Sequence, residues 1–265
     1  MNLERRSFLR MAIGGCVCCL PGTLGALQAA EHAGRDAAGA KPHWSYEGAT
    51  GPDHWGELSP DFKVCQLGLE QTPIDLASGM KADAGSISFD YRPLPLRILN
   101  NGHTIQVNSA PGCSCTIGEM KYDLVQFHFH HPSEHLLDGQ AFDMEAHFVH
   151  KSAAGALAVV GVFFKSGAHN FGLQPIFDLM PATEGPEVKA DGEFNPAAFF
   201  PSIQTYFRYT GSLTTPPCSE GLLWTVFREP IEASPEQIAR FAALFPNNAR
   251  PIQRRNRRFL IETGI

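Results

Sequence analysis

Five stretches between residues 86 and 167 alternate apolar and polar residues with a period of two. This period places every second side chain on one face of an extended strand, and it does not fit a helix. Turn residues separate the stretches, as expected of an antiparallel sheet. The stretches are SISFDY (86–91), LRILNNGHTIQVNS (96–109), SCTIGEMKYDLVQFHFHH (114–131), FDMEAHFVHKS (142–152) and GALAVVGVFFKSG (155–167).

Helical patterns are few and short. The best are NFGLQPIFDLM (170–180) and SPEQIARFAALF (234–245), and Ser234 is expected to cap the second. Residues 30–60 have no sustained period and predict an extended arm. A chain of 265 residues with 43% hydrophobic content can bury one sizeable core. We therefore predict a mainly β (α+β) single domain, with a large central twisted, mostly antiparallel β-sheet and a few short peripheral helices.

Three metal-binding signatures overlap in the stretch QFHFHHPSEH at residues 126–135. His128 and His130 form an H-x-H pair, and Glu134 extends this pair to the first half of a cupin-type site. Residues 131–135 spell H-x-x-E-H, the inverted zinc-protease motif. The three signatures imply different folds, so the surrounding sequence has to discriminate between them.

The protease motif needs a helix that brings its two histidines to one face. A helix begun at Pro132 would end at Gly139 in under two turns, whereas QFHFH has the period of a strand. The protease interpretation therefore fails on length. The cupin motif expects a glycine where this chain has Tyr122, and His169 lies in no glycine-framed second motif. The cupin interpretation ranks second.

Two predicted strands each present a polar face that can contribute to one metal site. Gln126, His128 and His130 share a face of the first strand, and Glu145 and His147 share a face of the second. Three neutral imidazoles with an open fourth position form the arrangement of catalytic zinc sites. The two remaining residues, Gln126 and Glu145, can accept hydrogen bonds from the other ring nitrogens and so orient the ligands.

The dipeptide Asp138-Gly139 is a strong signal for a two-residue hairpin turn between these strands. Such a turn would place His130 directly opposite His147. On this register, His128, His130 and His147 are the predicted metal ligands.

The combination of QFHFHHPSEH, MEAHFVH and GSLTTPPCSEG (211–221) resembles the α-class carbonic anhydrases of bacterial type. Further stretches extend the resemblance over most of the chain. They are HWSYEGATGPDHWGEL (43–58), QTPIDL (71–76), NNGHTIQV (100–107), LAVVGVFFKSG (157–167), WTVF (224–227) and NNARPIQRRNRR (247–258).

The resemblance implies a zinc enzyme that reversibly hydrates CO₂ to bicarbonate and a proton by means of zinc-bound hydroxide. It implies one Zn²⁺ per chain, held by His128, His130 and His147, and it allows a side activity on activated esters. Thr214 and Glu134 resemble the pair that orients the hydroxide, in which the Thr214 hydroxyl accepts a hydrogen bond from the hydroxide and donates its own proton to Glu134. A different class of function stays open, namely a catalytically silent relative that uses the three histidines only for binding.

The resemblance also implies a proton shuttle and a substrate pocket. His103 resembles the shuttle that passes the product proton to buffer. Pocket residues implied by the resemblance are Tyr46, Asn101, Gln106, Val149, Val159, Leu213, Thr215 and Trp224, with core packing as the competing explanation for the apolar ones. Asn248 and Arg250 match a structural network beneath the site. The remaining histidines are interpreted as surface or structural: His32, His43, His54, His131, His135, His150 and His169.

The N-terminal sequence ERRSFLR (4–10), followed by a weakly apolar run, resembles a bacterial twin-arginine export signal. An ordinary secretory signal is the alternative. Cleavage near Ala29 or Ala30 would separate residues 1–29 from a catalytic domain at 30–265. A lipoprotein anchor at Cys16 is disfavoured, because the apolar run before it is too short. We predict a periplasmic or secreted protein without stable membrane insertion.

Removal of residues 1–29 takes away three arginines and one glutamate. The balance of 21 basic and 27 acidic residues then becomes 18 and 26, so the net charge moves from −6 to −8. This charge argues against nucleic acid as a partner. The expected partners are CO₂, bicarbonate and water, and a homodimer is left open.

Four of the seven cysteines would remain after export: Cys65, Cys113, Cys115 and Cys218. These four allow three pairings in an oxidising compartment. Cys113 and Cys115 lie on one face of a predicted strand, where a mutual bridge would be strained, so we favour two free thiols. The resemblance places a disulfide at Cys65 and Cys218. It would close a loop of about 150 residues and contribute roughly 5 kcal/mol at most.

Overall fold

The strand Met120–His130 shows how the period-two pattern becomes a buried sheet. Its side chains alternate in burial as far as Gln126 and are then almost all buried, because both faces of the sheet are covered there. The structure, a computed structural model, describes residues 42–203 and 205–263. The predicted export segment, the cysteines at 16, 18 and 19, and His32 lie outside these residues.

Thirteen strands in the described part of the chain form one twisted sheet. They are β1 (Met80–Lys81), β2 (Ile87–Asp90), β3 (Leu94–Asn100), β4 (Ile105–Asn108), β5 (Ser114–Ile117), β6 (Met120–His130), β7 (Met144–Ser152), β8 (Leu157–Ser166), β9 (Val188–Phe194), β10 (Tyr206–Ser212), β11 (Glu220–Phe227), β12 (Ile231–Ala233) and β13 (Ile261–Glu262). The main path runs β1-β13-β10-β11-β8-β7-β6-β4-β3-β9. Only the β1–β13, β8–β11 and β8–β12 pairs of this described sheet are parallel, so the predicted, mostly antiparallel sheet is confirmed.

The helices are short and peripheral, as predicted. They are α1 (Trp55–Leu58), α2 (Val64–Leu67), α3 (Gln174–Leu179) and α4 (Pro235–Ala242), with 3-10 helices at Gly48–Thr50, Pro60–Phe62 and Pro196–Phe199. Ser234 caps α4 in a reciprocal capping box with Gln237. None of the described helices is long and apolar enough to cross a membrane.

The prediction of an extended arm is wrong for its described part. Short helical turns occupy most of residues 48–67, and they pack around a small apolar cluster. The cluster contains Trp44, Trp55, Phe62, Cys65 and Cys218. Burying two indole rings stabilises compact turns more than an extended path over the surface would.

The hairpin register between β6 and β7 also differs from the prediction. His128, not His130, lies opposite His147, and His130 lies opposite Glu145. The Asp138-Gly139 turn is formed, with positive φ at both residues. The loop before it, however, folds onto β7, because the backbone N–H groups of Glu134 and His135 donate to Glu145 Oε2.

The predicted and observed registers differ by two residues, an even number, so each side chain lies on the face of the sheet that was predicted for it. Because side chains alternate with a period of two, a slip of two residues keeps every side chain on its face. The three predicted ligands consequently still share one face of the sheet.

The two faces of the sheet bury separate apolar clusters. The larger cluster includes Phe127, Phe129 and Phe148. The smaller one, on the face of the three histidines, includes Val149 and Trp224. All the described residues belong to one compact unit.

The cysteines divide as predicted. Cys65 and Cys218 form a disulfide across 153 residues of sequence, and this bond is compatible with export to an oxidising compartment. Cys113 and Cys115 are free and buried. Cys113 packs into the larger cluster, whereas Cys115 packs beside Ile117.

Candidate metal centre

Three histidines from the two central strands bring their ring nitrogens together. One nitrogen from each of His128, His130 and His147 lies within 4.8 Å of the other two. His128 and His130 lie on the same face of β6, and the pairing of His128 with His147 on β7 brings the third ring beside them. His130 and His147 are almost fully buried.

The second nitrogen of each ring is held by an oxygen acceptor. The bonds are His128 Nδ1 to Gln126 Oε1 at 2.8 Å, His130 Nδ1 to Asn248 O at 2.7 Å, and His147 Nε2 to Glu145 Oε1 at 2.9 Å. Since a neutral imidazole that donates from one nitrogen presents a lone pair at the other, all three lone pairs face the shared centre. His130 Nε2 is buried and has no hydrogen-bond partner among the described residues, which fits a nitrogen reserved for a metal.

Burial keeps two of the rings neutral. It lowers the pKa of His128 well below its ordinary value, and the neighbouring rings of His130 and His147 lower it further. Burial also lowers the pKa of His130, and this effect outweighs the attraction of Glu134. For His147, burial lowers the pKa, but the charge and hydrogen bond of Glu145 outweigh it and raise the pKa above the ordinary value. A proton would therefore compete with any metal ion that binds His147.

Each carboxylate oxygen of Glu145, next to the three histidines, accepts two hydrogen bonds. Its Oε2 accepts the backbone N–H groups of Glu134 and His135, and its Oε1 accepts from His135 Nδ1 at 2.7 Å as well as from His147. The other nitrogen of His135 lies 2.6 Å from the hydroxyl of Tyr209. The interpretation of His135 as a structural histidine thus fits its contacts. Sequence reasoning did not identify Tyr209, which lies 74 residues away.

Glu134 lies directly beside the three histidines. Its Oε1 accepts the backbone N–H of Arg250 at 2.8 Å, and its Oε2 lies 3.5 Å from His130 Nε2 and 3.7 Å from His147 Nδ1. Among the described residues, Oε2 has no hydrogen-bond partner. The expected hydrogen bond from Thr214 is therefore absent from this arrangement, although Thr214 is buried.

The loop that carries Thr214 is pinned at both ends. The N–H of Leu213 donates to Ser219 O, and the N–H of Cys218 donates to Thr215 O. The disulfide then ties Cys218 to α2. Thr215 is half-buried in the same loop.

His103 lies on the turn between β3 and β4, and its half-buried ring stacks on Trp44 with centroids 3.7 Å apart. Tyr46 stands edge-on to the same ring at 6.5 Å. Burial, followed by the charge of Glu134, raises the pKa of Tyr46 well above its ordinary value, so its hydroxyl keeps its proton. Asn248 connects this turn to the three histidines, because its Nδ2 donates to the carbonyl oxygen of His103 and its backbone oxygen accepts from His130 Nδ1.

The predicted apolar pocket residues form one cluster next to the histidines. Val149, Val159 and Trp224 are buried there, and Leu213 packs against them. The Trp224 ring lies 4.8 Å from that of His147. Sequence reasoning missed Leu222, which is buried in the same cluster, although its two-residue spacing from Trp224 on a strand was a usable signal.

Comparisons with known proteins define the class of protein. A sequence model of the eukaryotic-type carbonic anhydrase family matches residues 50–262. The chain therefore belongs to the eukaryotic-type, or α-class, carbonic anhydrases, and it is an enzyme of that type.

Individual relatives agree with this membership. A carbonic anhydrase of Nostoc sp. (strain PCC 7120 / SAG 25.82 / UTEX 2576) is 50% identical over 226 residues, covering 83% of this chain and 86% of the relative. A carbonic anhydrase of Pectobacterium carotovorum is 42% identical over 220 residues, covering 83% and 90%. The α-carbonic anhydrase of Thermovibrio ammonificans, solved with the inhibitor sulfanilamide, has a TM-score of 0.82 and 41% identity, covering 84% of this chain and 100% of that one.

Proposed function

We propose that this chain binds one Zn²⁺ through His128, His130 and His147 and catalyses the reversible hydration of CO₂ to bicarbonate and a proton. The observation that carries the proposal is the convergence of three imidazole lone pairs whose opposite ring nitrogens are all held by oxygen acceptors. Family membership supports the reaction.

The donor set favours zinc over harder cations. Three neutral imidazoles without a carboxylate in the group suit zinc and related transition metals, whereas magnesium and calcium require oxygen ligands. When bound, zinc would supply a nucleophile at neutral pH by lowering the pKa of a coordinated water to about 7. Glu134 and Thr214 would orient that nucleophile by hydrogen bonding.

The walls of the site suit a small apolar substrate and a charged product. Val149, Val159, Leu213 and Trp224 form an apolar surface next to His147, against which CO₂ can lie. Asn101 and Gln106 provide a polar surface near His103. The proton then leaves by way of His103, because an imidazole ring can accept a proton on one nitrogen and release it to buffer.

The proposed reaction is tested by stopped-flow CO₂ hydration on purified protein, together with a metal assay. We expect about one zinc per chain, rapid hydration, loss of hydration on chelation and recovery when zinc is restored. Sulfanilamide, the inhibitor bound in the Thermovibrio ammonificans relative, is expected to block the reaction. Stoichiometric zinc without hydration would instead support the alternative of a binding protein.

Replacing His103 by alanine is expected to lower turnover about 10- to 100-fold in weak buffer, because the product proton loses its relay. Added imidazole should restore turnover, since it can carry the proton in place of the missing ring. The matched control is His169→Ala, which removes an exposed histidine far along the chain. Unchanged turnover of His103→Ala in weak buffer would show that the proton leaves by another route.

We also propose that the enzyme is exported and acts in the periplasm or outside the cell. The disulfide between Cys65 and Cys218 supports an oxidising location, and the twin-arginine-type sequence supports the route. Fractionation of the producing cells, with mass spectrometry of the mature N-terminus, tests both parts of the proposal.

A further inference from the structure

A continuous row of hydrogen bonds runs along the polar side of the site and ends at His103. It begins at the ion pair of Arg97 and Glu187, in which Arg97 Nε lies 2.7 Å from Glu187 Oε1. Asn108 Nδ2 donates to Glu187 Oε2 at 2.9 Å, and Gln106 Nε2 donates to Asn108 Oδ1 at 2.7 Å. Asn101 Nδ2 donates to Gln106 Oε1 at 3.3 Å.

The last member of this row holds the backbone of the turn. Asn101 Oδ1 accepts the N–H of His103 at 3.0 Å and the N–H of Thr104 at 2.9 Å. Asn248 Nδ2 donates to the carbonyl oxygen of His103 at 3.0 Å. The backbone of His103 is thus held on its N–H side by the row and on its carbonyl side by the residue that also binds His130.

The direction of every bond in the row is determined by its two ends. A carboxylate can only accept, and backbone N–H groups can only donate. Burial raises the pKa of Glu187, but the hydrogen bonds from Arg97 and Asn108 outweigh this effect and hold the pKa below its ordinary value. Glu187 is therefore ionised at neutral pH, and each of the three amides between the ends has a single orientation that satisfies both neighbours.

We propose that Glu187 is a positioning residue for proton transfer, which orients the amides of Asn108, Gln106 and Asn101 and thereby fixes the turn that carries His103. Glu187 touches neither the metal centre nor His103 in this row, and it lies 79 residues from Asn108 in sequence. The loop before it is tied to the same turn, because Asn100 Nδ2 donates to Pro181 O and Gly185 N donates to Asn100 O. The inference rests on the proposed role of His103.

Replacing Glu187 by glutamine gives the most direct test, since it preserves shape and removes one acceptor. The new amide group would face a donor, either Arg97 or Asn108, so one of the two bonds must break. We expect proton transfer to fall about 10-fold, a typical effect of losing an outer hydrogen-bond partner. Isotope exchange between ¹⁸O-labelled CO₂ and water measures proton transfer and CO₂ interconversion as separate rates, and the second rate and the zinc content should stay unchanged.

Two further variants isolate the row itself. Asn108→Ala interrupts the row and leaves the Arg97–Glu187 ion pair intact, so it should reproduce the loss of proton transfer. This second variant keeps the test decisive if Glu187→Gln folds poorly. Glu193→Gln is the matched control, because it removes an exposed carboxylate from β9, the strand that begins directly after Glu187. In a double variant, Glu187→Gln should cause no additional loss once His103 is alanine, because both act on the same step.

The outcomes separate this inference from the proposed function. A normal proton-transfer rate in both Glu187→Gln and Asn108→Ala, with His103→Ala impaired, overturns the inference and leaves the function intact. Equal losses of CO₂ interconversion and proton transfer also overturn it, since they would indicate general damage to the fold. No effect of His103→Ala itself would overturn the shuttle on which the inference rests.

Discussion

Replacing His130 by alanine is expected to remove stoichiometric zinc and to lower kcat/KM for CO₂ hydration by about 10⁴-fold or more. His130 offers a buried Nε2 with no partner among the described residues, while Asn248 O fixes its other nitrogen. Without this ring, two imidazoles remain, and catalytic zinc sites in proteins have three protein ligands. Zinc per chain by mass spectrometry and stopped-flow hydration are the two measurements.

The neighbouring residue provides the control for this variant. His131 is half-buried, and its Nδ1 contacts Pro246 O rather than the three-histidine centre. His131→Ala should therefore keep one zinc per chain and nearly full activity. Loss of zinc in both variants would point to a general weakening of the loop, and retention of zinc and activity in His130→Ala would refute the proposed ligand set. Circular dichroism of both variants checks that the sheet remains folded.

The clustering of the three histidines was predictable from sequence, because it depends on which face of the sheet each side chain occupies rather than on exact pairing. QFHFH fixes His128 and His130 on one face, and His147 reaches the same face for any even slip of the next strand. The exact register was not predictable. It depends on Glu145 accepting backbone N–H groups of Glu134 and His135, a contact that no turn motif encodes.

Residues distant in sequence account for most of what sequence reasoning missed. Tyr209 completes the network of His135 across 74 residues, and Glu187 joins Asn108 across 79. In the sequence, Glu187 is one more glutamate between a short loop (181–186) and a strand, and no local pattern marks it. Glu187 reaches its partners through the fold. Its neighbour β9 pairs with β3, which carries Arg97, and the loop before β9 contacts the β3–β4 turn.

Glu134 and Thr214 illustrate a different limit of prediction from sequence. Both residues were predicted for the site, but the hydrogen bond expected between them is not formed. Glu134 Oε1 is held by the backbone of Arg250, which leaves Oε2 next to His130 and His147 without a hydrogen-bond partner among the described residues. A buried carboxylate oxygen without a donor is costly. A hydroxyl that comes within reach, such as that of Thr214, would therefore bind it readily.

Glu134→Gln and Thr214→Val are each expected to lower kcat/KM for CO₂ hydration about 10²- to 10³-fold while zinc stays bound. Glutamine keeps the bond from Arg250 but replaces the second acceptor oxygen with a donor. Valine keeps the volume of threonine and removes its hydroxyl. If the two side chains act as one hydrogen-bonded unit, either change alone already breaks the unit. The kcat/KM of the double variant should then be no lower than that of the less active single variant.

Independent roles would instead give multiplied losses in the double variant, and this result would refute the pairing of Thr214 with Glu134. The matched control is Thr210→Val, an exposed threonine on β10, which should leave kcat/KM unchanged. Because Glu134 Oε2 lies less than 4 Å from both His130 Nε2 and His147 Nδ1, zinc affinity must be measured in the same variants. A loss of activity that follows zinc release would place Glu134 in metal retention, whereas a loss with zinc fully bound places it in the orientation of the nucleophile.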